Sequence, residues 1–194
     1  MPKINKITLG KISTRIKRNN RCRHMQLPPC ECICECPCES TGELILNGGM
    51  EEFNVNIPSG WNTTTPTRVY RATDEGEVHS GNSAVGLRGN ADLWQDVEIV
   101  GGCYYELSFF AHANNQNLAL NAMVIFISST NEQTPALYIS IRERDLPTNN
   151  GDFGFYRGIT TKAPQDAVKA RIRFNETTNV NNSLTLDDVS FSVR

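Results

Sequence analysis

The side chains with the most evident chemistry in this 194-residue chain are its seven cysteines. Cys30, Cys32, Cys34, Cys36 and Cys38 occupy alternate positions, and Cys22 and Cys103 stand apart. Thiols can cross-link, hold a thiophilic metal or stay reduced, and spacing narrows the choice. In an extended segment successive side chains point to opposite faces, so the five sulfurs line one edge while Glu31, Ile33, Glu35 and Pro37 face the other. Cα atoms two residues apart then lie about 6.5–7 Å from each other, at the upper limit of disulfide geometry, so neighbours in the ladder make poor partners. Partners are expected elsewhere: Cys22, Cys103, the same ladder in another molecule, or a metal. Structural zinc favours wider cysteine spacings with histidine, which C-x-C does not match. The expectation is covalent cross-linking, with metal binding and a reduced, unstructured tail as alternatives. An odd count leaves one cysteine for another chain or a free thiol.

The other candidate groups are aromatics and histidines. A ring exposed on a sheet face can stack on a sugar or on another subunit. Trp94 stands at opposite parity to Leu93, Val97 and Ile99, beside Asp96, which makes it the first candidate for glycan or subunit contact. Phe153, Phe155 and Tyr156 follow a turn-rich loop and come next; a strand tryptophan packed against a neighbouring loop is the plain structural alternative. No recognisable pattern connects His24, His79 or His112 with a serine or an acid, and there is no phosphate loop or dinucleotide fingerprint. Catalysis is therefore not expected, and His112 is read as a turn or edge residue.

Short apolar runs broken by turn residues must position these groups. Strands are predicted near residues 43–46, 53–57, 68–72, 83–87, 93–99, 104–113, 118–127, 136–142, 153–161, 168–174 and 183–193. Asn47-Gly48-Gly49, Ser80-Gly81-Asn82, Gly101-Gly102 and Asn149-Asn150-Gly151 are among the turns. Many short strands with almost no helical periodicity imply an all-β sandwich or jelly roll. Alternation assigns Tyr105, Leu107, Phe109 and Ala111 to one core face, and Val189, Phe191 and Val193 to another.

Composition divides the chain into a basic arm (1–29), a cysteine-ladder connector (30–42) and a β-sandwich (43–194). The arm carries eight Lys or Arg and no acid, so the net charge of −2 leaves −10 for residues 30–194. That asymmetry predicts attraction between the arm of one copy and the body of another; a merely solvated arm is the alternative. The arm lacks the interleaved aromatics of a base-stacking platform, so nucleic acid is not expected. Its Ile4, Ile7, Leu9, Ile12 and Ile16 fit no single periodicity, and helix, strand and coil stay open. No run of about 18 apolar residues predicts a membrane span, and no apolar run behind the arm's charges predicts a signal peptide.

Five stretches recur in an informative order. They are Leu44-Ile45-Leu46-Asn47-Gly48-Gly49-Met50-Glu51, Pro58-Ser59-Gly60-Trp61, His79-Ser80-Gly81-Asn82-Ser83-Ala84, Trp94-Gln95-Asp96-Val97 with Tyr105-Glu106-Leu107-Ser108-Phe109, and Leu186-Asp187-Asp188-Val189. Together they resemble the calcium-containing jelly-roll carbohydrate-binding modules. More narrowly, the chain looks like the jelly-roll domain that precedes collagen-like repeats in some bacterial spore-surface proteins. The resemblance covers residues 43–194. It implies a structural calcium held through Gly49, Glu51, Asn82 and Asp187, a mixture of carboxylates and carbonyls that suits this ion. His79, where an acid sometimes stands, departs from the pattern. The plain alternative is that Glu51 and Asp187 accept backbone amides where the first and last strands meet.

Two functions follow as expectations. One is a self-assembling structural subunit of a bacterial cell or spore surface, joined by the arm, with Cys22 and Cys103 as unequal partners and the ladder bonding laterally or to an anchoring protein. The other is a carbohydrate-binding module that uses the arm as an attachment point.

Overall fold

The computed structural model describes Cys38 and residues 42–178 and 182–194, which belong to a compact unit spanning Pro37–Arg194. The basic arm, with Cys22, and the ladder positions Cys30, Cys32, Cys34 and Cys36 lie outside the described residues.

Strands β1 (Phe53–Asn54) and β2 (Ile57–Pro58) form a hairpin, followed by β3 (Val69–Ala72), β4 (Ala84–Arg88), β5 (Asp92–Glu98), β6 (Tyr105–Ala113), β7 (Leu118–Ser128), β8 (Gln133–Ile141), β9 (Gly154–Ile159), β10 (Ala167–Thr178) and β11 (Ser183–Val193). A four-stranded sheet has the order β5-β10-β7-β8 and a five-stranded sheet the order β3-β4-β11-β6-β9. Every pairing is antiparallel. The expected all-β jelly-roll sandwich is the fold.

Period-2 alternation builds the core. On β6, Tyr105, Leu107, Phe109 and Ala111 are fully buried, as are Leu120, Ala122 and Val124 on β7. The sheets interlock through rings: Phe109 of β6 meets Phe174 of β10 at 5.0 Å, and Tyr105 meets Phe126 of β7 at 6.1 Å, both edge-on. Each such side chain removed from water contributes about 1.5–3 kcal/mol.

Three expectations change. Residues 43–46 are not a strand but make a single bridge from Glu43 to Ser192. The Glu43 carboxylate accepts the amides of Ile45 and Phe191, and the Gln95 side chain takes both the amide and the carbonyl of Leu46, so side chains replace the ladder. Residues 53–57 split into the β1–β2 hairpin because Val55 adopts a positive φ of 60°. His112 is no edge residue: it is buried on β6, between β11 and β9, with Nδ1 2.9 Å from the Asp152 carbonyl.

Candidate functional site

The outer face of the four-stranded sheet carries the predicted Trp94. Leu93, Gln95 and Val97 are buried, while Trp94 is half-buried and Asp96 exposed, as strand alternation requires. Register then sets its neighbours. Trp94, Arg173, Met123 and Tyr138 are successive cross-strand partners over all four strands. Asp92, Asn175, Asn121 and Ser140 form the next row. At about 4.8 Å per strand, each row spans about 14 Å.

Charge pairing fixes the ring. The guanidinium carbons of Arg171 and Arg173 lie 5.8 and 6.0 Å from the Trp94 ring centroid, so the indole leans across β10. Arg171 is held by Asp96, its Nε and Nη2 donating at 2.6 and 2.8 Å. Those hydrogen bonds raise its pKa above the ordinary arginine value. Arg173 Nη2 donates to Asp92 Oδ2 at 3.1 Å. Asp92 Oδ1 in turn accepts the Thr64 amide and the hydroxyls of Thr63, Thr64 and Thr65. Burial alone would raise the Asp92 pKa, but these donors and Arg173 outweigh it and hold the carboxyl below its ordinary value. At the far edge, the Tyr138 ring is 62% exposed and its hydroxyl donates to Asn121 Oδ1 at 2.9 Å. Along the strand direction the face continues into an open cavity of about 430 Å³ between residues 117–119, 142–144 and Thr177.

Tyr138 was legible in the alternation of Leu137-Tyr138-Ile139-Ser140-Ile141, where the tyrosine and serine face out. Arg171 and Arg173 alternate equally plainly with Ile172 and Phe174, but nothing local in the sequence places them beside Trp94.

Of the residues implied for calcium, Asn82 lies in the 79–83 loop, Glu51 and Asp187 bind amides of that loop, and Gly49 lies against Asp188. Glu51 Oε1 accepts the amides of Asn82 at 2.8 Å and Ser83 at 3.3 Å. Asp187 Oδ2 accepts those of His79 and Ser80, and its Oδ1 that of Asp188. A Cβ on Gly49 would lie 3.6 Å from Asp188 Oδ1. The full burial of Asp187 pushes its carboxyl up to about 6, against the pull of the three amides. The donor chemistry suits a hard cation, being carboxylate and carbonyl oxygen throughout. Among the described residues no group of three or more His, Cys, Asp or Glu side chains is arranged to hold a metal. In this geometry both acids are amide acceptors: Asp187 ties the loop to the β11 bulge, where Asp188 takes a φ of 47°, and Glu51 ties it to the segment before β1. His79 completes the tie: its Nδ1 is 2.6 Å from Asp188 Oδ2, and its ring stacks on Phe110 at 3.6 Å.

The two β9 candidates face opposite ways. Phe155 is 52% exposed on the outer face, against Phe110 at 5.0 Å. Tyr156 points inward: it stacks on Phe109 at 5.5 Å, its hydroxyl donates to the Asp145 carbonyl, and burial pushes its pKa up to about 12. Alternation along Phe155-Tyr156 does not allow both on one surface.

Cys103 is buried beside the Gly101-Gly102 turn and forms a disulfide with Cys38, with a Cα–Cα distance of 5.5 Å. Cys103, expected as a partner either for the ladder or for Cys22, is thus taken by the last rung of the ladder in an intrachain bond. That bond fastens Cys38 to the start of β6.

No family model and no curated protein matches the sequence. Solved structures do. A family 61 carbohydrate-binding module in complex with β-1,4-galactotriose superposes with a TM-score of 0.60 at 14% identity, over 79% of this chain and 100% of that one. The xylan-binding domain of Paenibacillus barcinonensis Xyn10C gives 0.52 at 10% identity, over 80% and 94%. A cyclase from Fischerella sp. TAU gives 0.57 at 13%, over 79% and 97%. At such identities the likeness shows the fold, a jelly-roll sandwich of the kind found in carbohydrate-binding modules.

Proposed function

We propose that this chain is a non-catalytic carbohydrate-binding protein whose site is the outer face of the β5-β10-β7-β8 sheet. The observation that carries this reading is the Trp94 ring, laid across β10 by two paired arginines on a face rich in polar side chains. A half-buried aromatic provides the apolar platform for the C–H face of a sugar, and Asn121, Asn175, Asp96 and Arg171 supply hydrogen bonds around it. Stacking of this kind demands a ring that is already held, because ordering a free side chain would cost part of the gain. Binding to a panel of immobilised glycans, repeated with Trp94→Ala, tests the reading. Expected is retention of at least one glycan by the parent protein and its loss in the variant. Retention of no glycan, or of the same glycan by both proteins, counts against it.

A structural calcium belongs to the same proposal. Glu51 and Asp187, with carbonyl oxygens of Gly49 and Asn82, would hold it, and the ion would neutralise the buried acid and pin the 79–83 loop to the segment before β1 and to the β11 bulge.

The Cys38–Cys103 bond supports a second reading. We infer a self-assembling subunit of a cell or spore surface, in which the last cysteine of the ladder is bonded to the body. The +8 arm would be attracted to the −10 remainder of a neighbouring copy, with Phe155 available for subunit contact and an anchoring protein as a further partner. Electron microscopy and non-reducing gels, with and without reductant, test it. Filaments whose covalent ladder collapses on reduction are expected, and a uniform monomer under both conditions would sink it. No helix among the described residues is long and apolar enough to cross a membrane.

A further inference from the structure

The 430 Å³ cavity at the end of the outer face follows from side-chain length along one row. Thr177 and Ala119 are register partners on β10 and β7, and one step beyond the Leu120–Ile141 pair Ala119 stands beside Arg142. The Arg142 backbone is extended, with φ −80° and ψ 158°, so the alternation that turns Tyr138 and Ser140 outward carries on to it. The methyl group of Ala119 between two longer side chains leaves the notch. The wall that carries Arg142 is fixed in place: the Asp145 amide donates to the Arg142 carbonyl at 2.9 Å, the Tyr156 hydroxyl donates to the Asp145 carbonyl, and Leu146 is buried.

Arg142 differs from the other arginines of this face. Arg171 is paired with Asp96 and Arg173 with Asp92, and both lie against the Trp94 ring. Arg142 is exposed, and its guanidinium makes no hydrogen bond, ion pair or ring contact with the described residues. Arg144, on the same wall, has only a loose pair: its Nε is 3.9 Å from Asp145 Oδ1, with the two side chains 74% and 56% exposed, and such a pair contributes little. Glu143 is the one acid among the described residues that line the cavity. A guanidinium offers five N–H donors and no acceptor, in a fork that matches two oxygens of one anion.

We propose that this cavity binds the anionic substituent of an acidic glycan, a carboxylate or sulfate held by the Arg142 fork and the Thr177 hydroxyl, while the rest of the sugar chain lies along the face toward Trp94. This rests on the glycan-binding reading and specifies its ligand. Tyr138, in the Trp94 row, and Arg142 are four residues apart on one extended segment, about 13 Å at 3.3 Å per residue. An oligosaccharide reaches both; a monosaccharide does not.

The test is calorimetric titration of the full chain with two matched pairs, trigalacturonate against its methyl ester and dextran sulfate against dextran, and with xylohexaose. The proteins are the parent, Arg142→Gln, Arg88→Gln and Trp94→Ala, and thermal melts check that each variant is folded. The arm's eight basic residues attract any polyanion, so Arg88→Gln, which removes the same charge from an exposed position on the other sheet, is the control. Expected is tighter binding of one anionic ligand than of its uncharged counterpart, weakened about tenfold by Arg142→Gln, unchanged by Arg88→Gln and reduced by Trp94→Ala. The anion that shows the Arg142 dependence decides between carboxylate and sulfate. Equal losses in Arg142→Gln and Arg88→Gln, or none in either, overturn the anion site, and the platform still stands if Trp94→Ala abolishes binding of an uncharged ligand. Arg142-dependent binding that Trp94→Ala leaves unchanged supports the cavity and overturns the platform. No binding of any ligand by the parent protein overturns both.

Discussion

Arg173 lies directly across from Trp94 in the β5–β10 register and ties that ring to Asp92, whose other carboxylate oxygen is enclosed by Thr63, Thr64 and Thr65. The placement of the Trp94 ring therefore depends on a buried anion.

Asp92→Asn is expected to cost about 2–4 kcal/mol, because its amide nitrogen would set a donor against Arg173 Nη2, or against the threonine donors if turned round. Denaturant unfolding measures the loss. Sugar binding should fall with it as Trp94 loosens; a variant of parental stability would show that the threonine enclosure contributes little.

Glu176 is almost fully buried, and burial pushes its carboxyl up to about 7 from an ordinary 4.5, against the amides of Asn90 and Ala91. Between those two values the folded state binds more protons than the unfolded one, so this group's contribution falls as pH rises from about 4.5 to 7. The integrated effect is on the order of 3 kcal/mol. Glu176→Gln mimics the protonated acid, so the variant should gain on the parent protein at pH 8 and lose that advantage at pH 4.5. Thermal melts at the two pH values decide; an advantage that does not change with pH would refute the assignment.

Gly48 and Gly81 should differ in tolerance of a methyl group. A Cβ at Gly48 would come 2.0 Å from the Val189 carbonyl oxygen, a backbone atom that cannot step aside. Gly48→Ala is therefore expected to cost about 2–4 kcal/mol. At Gly81 the neighbour is Glu51 Oε1, also at 2.0 Å, on a side chain that can move, although φ is 69°. Gly81→Ala should cost about 1–2 kcal/mol, the price of the left-handed backbone. Equal losses in urea unfolding would contradict the contrast.

Removing the Cys38–Cys103 bond, by reduction or Cys103→Ser, frees a loop closed across 65 residues. Chain entropy puts the loss on the order of 4 kcal/mol. The melting temperature should fall while far-ultraviolet circular dichroism below the transition stays that of a β-sandwich; an unchanged melting temperature would argue that the bond does not form in solution.

If calcium sits among Glu51, Asp187 and the 79–83 loop, millimolar calcium at about a hundred times Kd raises stability by about 2.7 kcal/mol. Chelator should reverse the gain, and Glu51→Gln should abolish it. Identical melts in calcium and chelator would leave the amide ties as the whole role of these acids.

The sandwich was legible because the strand period of two is a local property. Tyr105-Glu106-Leu107-Ser108-Phe109 declares its inner face without reference to any other strand, and so does the outward parity of Trp94. Likewise Asn47-Gly48-Gly49 and Ser80-Gly81-Asn82 announced turns through residues that tolerate positive φ, and Asn47 and Gly81 adopt it at 53° and 69°. What lies opposite is not local. Trp94 meets Arg171 and Arg173 because β5 and β10, far apart in sequence, are neighbours in the sheet. Tyr156 turned inward because the register of β9 on β6 set Phe155 outside. Cys103 met Cys38 rather than Cys22 because the fold brings Cys38 to the start of β6. The residue types and the alternation of faces along each strand were thus determined by the sequence itself. Their partners were decided by tertiary structure, because sheet order and register come from burying both inner faces at once, and no short stretch of chain encodes that collective constraint.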